Sequence, residues 1–139
     1  MKTLVIYYSL SGSTKREAER IASELQAELC EVKERKKRSG IAAFIPGCPQ
    51  AMKRKATQIE PLTADLASYD KIIIGAPIWA SHPAPAWNSI AALLPQGKEV
   101  ELFFLSGGGD SSASAQGSRE IIEGKGCTVT GYRDVKKGN

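Results

Sequence analysis

Three stretches of this chain are apolar nearly throughout: Thr3 to Tyr8, Asp70 to Gly75 with Ile-Ile-Ile at its centre, and Val100 to Leu105. A strand packed on one face alternates apolar and polar residues, whereas a strand covered on both faces need not. Continuous β-branched and aromatic runs therefore call for layers on both sides. The sheet that meets this demand is parallel, with helices crossing over its two faces.

The segments between these runs fit that scheme. From Lys15 the apolar residues Ala18, Ile21, Ala22, Leu25 and Leu29 recur at helical spacing, which predicts a first helix ending near Leu29. Cys30 to Lys33 then reads as a short alternating strand, with Cys30 and Val32 inward. Trp87, Ile90, Ala91 and Leu94 stand at i, i+3, i+4 and i+7 of another helix, with Trp87 a core residue. A further helix is expected over about 115–123, stopped by Gly124 and Gly126, and a last alternating strand over 127–132. The sum is a three-layer, doubly wound α/β domain with a five-stranded parallel sheet. Alternating strands belong at the edges, and the order 2-1-3-4-5 satisfies this together with right-handed crossovers.

A chain of 139 residues fits one domain, spanning 1–139, and its 42% hydrophobic and 24% charged content is that of a globular protein. Cys30, Cys48 and Cys127 are odd in number and widely spaced, so neither a disulfide framework nor a metal site is expected. No stretch has the length of a membrane span, and the amino-terminal apolar run is too short for a signal peptide core. The expected setting is the cytoplasm, without membrane insertion.

In an open parallel sheet the ligand lies beyond the carboxyl ends of the strands. Three loops of unusual composition leave that edge. The first, Ser9 to Thr14, places four hydroxyls and Gly12 between a central strand and a helix N-terminus, where free N–H groups and the positive dipole end favour an anion. A turn with an N-cap would draw on the same residue types, but one cap needs one hydroxyl. Neither the triphosphate loop Gly-x-x-x-x-Gly-Lys-Ser/Thr nor the dinucleotide fingerprint Gly-x-Gly-x-x-Gly is present. The second loop, Ala76 to Trp87, is stiffened by Pro77, Pro83 and Pro85 and carries Trp79, which suits either stacking on an aromatic ring or a packed lid. The third, Ser106 to Ser112, contains Gly107, Gly108 and Gly109, suited to close backbone approach by a flat ligand or to a flexible turn.

Other chemistries fit less well. His82, the lone histidine, reads as a loop residue. Cys48 to Arg54 has the Cys-x5-Arg spacing of tyrosine phosphatases, but Pro49 removes an amide and no glycine shapes the loop. No aspartate stands at the end of the third strand for phosphoacceptor chemistry. Much of the +4 net charge lies in a variable region at about 34–60, where Lys33, Arg35, Lys36, Lys37, Arg38, Lys53, Arg54 and Lys55 flank the apolar stretch 40–47. This reads as a solvated face around an apolar plug, or as a cap and steering surface for an acidic redox protein. Sparse aromatic interleaving argues against nucleic acid.

The motifs Tyr-Ser-Leu-Ser-Gly-Ser-Thr-Lys at 8–15, Tyr-Asp-Lys-Ile-Ile-Ile-Gly-Ala-Pro-Ile-Trp at 69–79 and Phe-Leu-Ser-Gly-Gly-Gly-Asp at 104–110 make the chain resemble the flavodoxin family over nearly its whole length. The resemblance implies FMN as cofactor. Ser9, Leu10, Ser11, Gly12, Ser13 and Thr14 would hold its phosphate. Pro77, Ile78, Trp79 and Ala80 would border the isoalloxazine, and Ser106, Gly107, Gly108, Gly109 and Asp110 would line its other side and pyrimidine end. No protein side chain is expected to be catalytic in itself. Electron transfer between redox partners is the implied function, with NAD(P)H-dependent quinone or flavin reduction the alternative. Three departures stand out. The second loop lacks the glycine whose peptide often adapts to the one-electron reduced flavin, and the charge is basic. The chain also stops after the fifth strand, where the family usually has a further helix. A homodimer through the face left bare is the corresponding expectation.

Overall fold

The structure is a computed structural model and describes residues 1–38 and 44–137. Its elements in chain order are β1 (Thr3–Tyr7), α1 (Ser13–Leu25), β2 (Glu28–Glu31), α2 (Phe44–Met52), β3 (Lys71–Trp79), β4 (His82–Pro83), α3 (Pro85–Ala92), β5 (Glu99–Ser106), α4 (Ser112–Gly124) and β6 (Thr128–Lys136), with a 3-10 turn at Leu66–Ser68. The sheet runs β2-β1-β3-β5-β6, all parallel, with the two-residue β4 paired only to β3. Counting the five parallel strands alone, this is the order 2-1-3-4-5, with the alternating strands at its edges.

Successive residues of the central strands serve opposite layers. Leu4, Ile6, Ile72, Ile74, Leu102 and Phe104 enter the larger core, with Trp87 and Ile90 of α3 and Ile122 of α4. Val5, Tyr7, Ile73, Phe103 and Leu105 face Ala18, Ile21 and Ala22 of α1. Complete burial of one such aliphatic side chain contributes about 1.5–3 kcal/mol, and this two-sided demand keeps the runs mostly apolar.

Several boundaries differ from the sequence reading. Helix α1 stops at Leu25, because Gln26 turns left-handed (φ 53°) and its N–H caps Ala22 and Ser23 carbonyls. Leu29 is therefore no helical residue; it lies on β2 opposite Val5 and is exposed. Strand β2 begins at Glu28 rather than Cys30, β6 extends to Lys136, and α4 opens three residues early at Ser112. Strand β3 runs past Gly75 to Trp79, so the second loop is partly strand. Residues 40–43 of the apolar stretch lie outside the described residues, but the segment after them is helix α2, with Pro49 inside it.

On the α1 face of the sheet, two ion pairs lie beside the core that includes Phe103. Phe103 lies against Gly75, so that a Cβ there would fall 1.9 Å from its ring, and Lys71 pairs with Glu101 at 2.8 Å. Arg133 reaches Glu17 at 3.8 Å beside them. Leu25 and Leu29, both exposed, stand at the end of α1 and on the opposite edge strand.

Candidate functional site

Parallel pairing sets the three loops on one edge, because Tyr7 registers with Gly75 and Pro77 with Leu105. The chain leaves β1 at Tyr8, whose N–H still donates to the Gly75 carbonyl at 3.1 Å. It then turns through Gly12, at φ +99°, into α1. The Ser9 hydroxyl accepts the Gly12 N–H at 3.0 Å and shapes that turn. No side chain caps the helix and no acid occupies its first turn.

The first intrahelical bond runs from Arg16 N–H to Gly12 O at 3.0 Å. The amides of Ser13, Thr14 and Lys15 precede it and have no partner among the described residues. Thr14 is 2% exposed and its hydroxyl likewise makes no hydrogen bond to them. Ordinary helices neutralise this end with a capping oxygen or an acid, each contributing about 0.5–2 kcal/mol. Here Lys15 and Arg16 stand there instead. Donors without acceptors, next to two cations, suit an oxyanion such as a phosphate.

The second loop is a β-hairpin. Trp79 pairs with His82 and Ile78 with Pro83 across Ala80 and Ser81, both left-handed at φ 50° and 67°. The Ala84 N–H returns to the Pro77 carbonyl at 3.0 Å. His82 donates from Nδ1 to the Ala80 carbonyl at 3.0 Å, which makes it part of the turn. The Trp79 indole is 5% exposed, packed edge-to-face on Tyr8 with centroids 6.0 Å apart. Arg38 lies over its ring at 5.4 Å, and Gly47 of α2 approaches so closely that a Cβ would come within 2.9 Å of it. In this conformation the indole belongs to a small core with Tyr8, Ala51, Ala84 and Ala86.

The third loop is tied through Ser106, whose hydroxyl accepts from the Gly109 and Asp110 amides at 2.9 and 3.2 Å. A Cβ at Gly107 or Gly108 would meet nothing within 4 Å, so that stretch faces open space. Asp110 accepts the Ser112 N–H at 2.8 Å, which begins α4 and holds its carboxyl below the usual range. Ser111, buried, donates to Asp134 at 2.5 Å and shares a hydrogen bond with the Tyr132 hydroxyl, fixing the loop to β6.

The variable region serves partly as scaffold. Glu34 is buried, accepting from the Tyr8 hydroxyl at 2.5 Å and from Arg38 at 2.9 Å. Burial and that bond raise the Tyr8 pKa well above the phenol value. Arg54 is engaged elsewhere, donating to the Ser114 carbonyl at 2.9 Å and the Ser118 hydroxyl at 3.2 Å. Cys48 sits on α2 against the Trp79 cluster, so the Cys-x5-Arg spacing builds no phosphatase loop. Of the eight cations singled out in the sequence, Arg38 and Arg54 are structural; Lys33, Arg35, Lys36, Lys37, Lys53 and Lys55 are exposed.

Two cavities adjoin the first loop. One, of about 200 Å³, lies between Ser9, Leu10 and the 31–38 segment. The other, of about 280 Å³, is bordered by Ser13, Arg16, Glu17, Arg20, Leu105, Val135 and Lys136. Arg16 and Lys136 escaped the sequence reading. A signal for Arg16 existed, since a cation in a first helical turn opposes the dipole; Lys136 reaches the site only through the register of β6. Among the described residues no group of histidine, cysteine or acidic side chains is arranged to hold a metal, and no helix is long and apolar enough to cross a membrane.

No family model and no curated protein matches the chain. Solved structures do. A flavoprotein from Lactobacillus acidophilus NCFM, crystallised in complex with FMN, is 33% identical, over 96% of this chain and 93% of that one, with a TM-score of 0.74. Oxidised flavodoxin 1 from Bacillus cereus shares the fold at 19% identity, 100% and 88% coverage and a TM-score of 0.58. A WrbA-like flavodoxin from Agrobacterium tumefaciens does so at 18%, 91% and 74%, with 0.58. With a relative of that identity aligned over almost its full length, and the same parallel sheet order, the chain belongs to the flavoproteins of flavodoxin-like fold.

Proposed function

We propose that this protein binds FMN and carries electrons between redox partners. The observation that carries the reading is the start of α1, where three backbone donors and the Thr14 hydroxyl have no acceptor among the described residues, and two cations but no acid stand beside them. A phosphate monoester supplies both the oxygens and the charge. The open Gly107–Gly108 stretch gives a flat ring room at the same sheet edge, with the Pro77–Ala80 hairpin on the other side. When bound, the flavin ring takes up and releases electrons; the chain's residues hold its phosphate, flank its ring and exclude water.

Charge favours a protein partner of acidic character. Lys33, Arg35, Lys36, Lys37, Lys53 and Lys55 are exposed on segments flanking the small core over the site. Steering by such a patch raises association rates and weakens as salt screens it. Calorimetry with FMN tests the cofactor. Anaerobic mixing with NAD(P)H tests the role: a carrier stays oxidised until a separate reductase is added. Direct, saturable bleaching would replace the carrier reading with an NAD(P)H-dependent quinone or flavin reductase.

A further inference from the structure

Arg16 and Arg20 lie one helical turn apart on α1 and border the same cavity, yet their surroundings differ. The Arg20 guanidinium is neutralised by Glu17 at 2.5 Å and Glu24 at 2.6 Å. Arg16 has no carboxylate partner among the described residues. Its side chain instead folds back toward the helix start, as helical side chains tend to. One terminal nitrogen lies 3.4 Å from Ser13 Oγ, and the other 3.7 Å from where a Gly12 Cβ would stand. A guanidinium so placed opposes the helix dipole and lies beside Lys15, a repulsive arrangement that a bound dianion would reverse. Across the cavity Lys136 also lacks an ion-pair partner among the described residues, and its Cβ touches the third loop at 3.1 Å from the Gly109 Cβ position. Arg16 and Lys136 thus set a cation on each side of the cavity, whose border also includes Ser13 and Glu17, the latter paired with Arg20.

We propose that Arg16 is a phosphate ligand, its guanidinium closing over the first turn of α1 to select phosphorylated over unphosphorylated flavin. The assignment rests on the FMN reading above. It adds a side-chain charge to a loop otherwise built from amides and hydroxyls, and the planar fork grips two phosphate oxygens in a way an ammonium group would not.

The test is calorimetric titration of wild type, R16Q, R16K and R20Q with FMN, riboflavin and inorganic phosphate, with thermal unfolding of each apoprotein alongside. Loss of a charge-assisted contact should weaken FMN by about tenfold to a hundredfold in R16Q. Riboflavin affinity should stay within about twofold, R16K should recover part of the loss, and R20Q should change FMN affinity by less than about twofold, because Arg20 is already neutralised. FMN affinity unchanged in R16Q overturns the assignment, as does equal loss of FMN and riboflavin with a fallen melting temperature. Inorganic phosphate binding as tightly as FMN would make this a free-oxyanion site and overturn it too. Failure of the wild type to bind FMN overturns the function reading itself, and the role of Arg16 with it.

Discussion

Gly75 is where the two-sided sheet leaves least room. It sits on β3 between Tyr7 of β1 and Phe103 of β5, and an added Cβ would lie 1.9, 2.3 and 2.4 Å from three atoms of the Phe103 ring. Carbon atoms pack at about 3.5–4.0 Å, so the ring would have to retreat by roughly 1.5 Å. Phe103 is 1% exposed, with Leu105, Ile73 and α1 around it, and has nowhere to go without displacing them. Overpacking of this kind costs about 1–3 kcal/mol, and for a ring hemmed in on all sides Gly75→Ala should reach the upper value, about 3 kcal/mol. A domain of this size would lose about 10 °C in melting temperature. Shortening the obstacle removes the cause: in a Phe103→Leu background the same substitution should cost less than about 1 kcal/mol. Urea unfolding of the four proteins in the cycle measures the coupling, expected near 2 kcal/mol. Additivity within about 0.5 kcal/mol would refute the clash as the reason this position is glycine.

Three further outcomes follow from the geometry. Ala80→Gly should stabilise the fold by about 0.5–1 kcal/mol, since Ala80 is exposed in the left-handed region at φ 50°; a loss in urea midpoint would show the turn is not strained. Gly117→Ala should destabilise the wild type, because the new methyl comes 2.9 Å from the Arg54 guanidinium, yet stabilise an Arg54→Ala protein by up to about 1 kcal/mol of helix propensity; the same sign in both backgrounds would contradict that reading. All four tyrosines have raised pKa values: Tyr7 is pushed up to about 12 mainly by burial, Tyr69 to about 12 mainly by its bond to Glu28, while burial raises Tyr8 and Tyr132. The fold favours their protonated forms, so this stability is complete below the ordinary phenol value near 10 and is withdrawn as pH climbs through the folded values. Tyrosinate absorbance should therefore appear together with loss of circular dichroism; phenols titrating near pH 10 in a still-folded protein would refute it.

The sheet was legible because burial on both faces leaves its mark on every residue of Thr3–Tyr7 and Ile72–Ile74. Edges and helix ends were less so. Leu25 and Leu29 continue a helical spacing although neither is buried, and what ends α1 is the left-handed turn at Gln26, which no glycine announces. The hairpin at Ala80–Ser81 was hidden for the same reason, since such turns usually advertise themselves with Asn-Gly or Gly. Within the site, the hydroxyl loop and the glycine run stand out by composition alone. Arg16 was legible too, as a cation in a first helical turn, whereas Lys136 and the burial of Trp79 under α2 depend on distant segments meeting, and local pattern says nothing of that.

The anchoring of the 34–60 segment has a consequence for how the molecule comes together and how it tolerates change. Glu34 bridges to Ile59, Lys55 receives the Asn88 amide, Thr57 exchanges two bonds with Ser89, and Arg54 reaches α4 some sixty residues away. What looks like an insertion therefore acts as a strut between the first and last thirds of the polypeptide. Closing contacts of such span comes late and slowly in folding. Lengthening or trimming this stretch, harmless in an ordinary surface loop, should here loosen α3 and α4 together, so that both helices lose hydrogen-exchange protection as one unit.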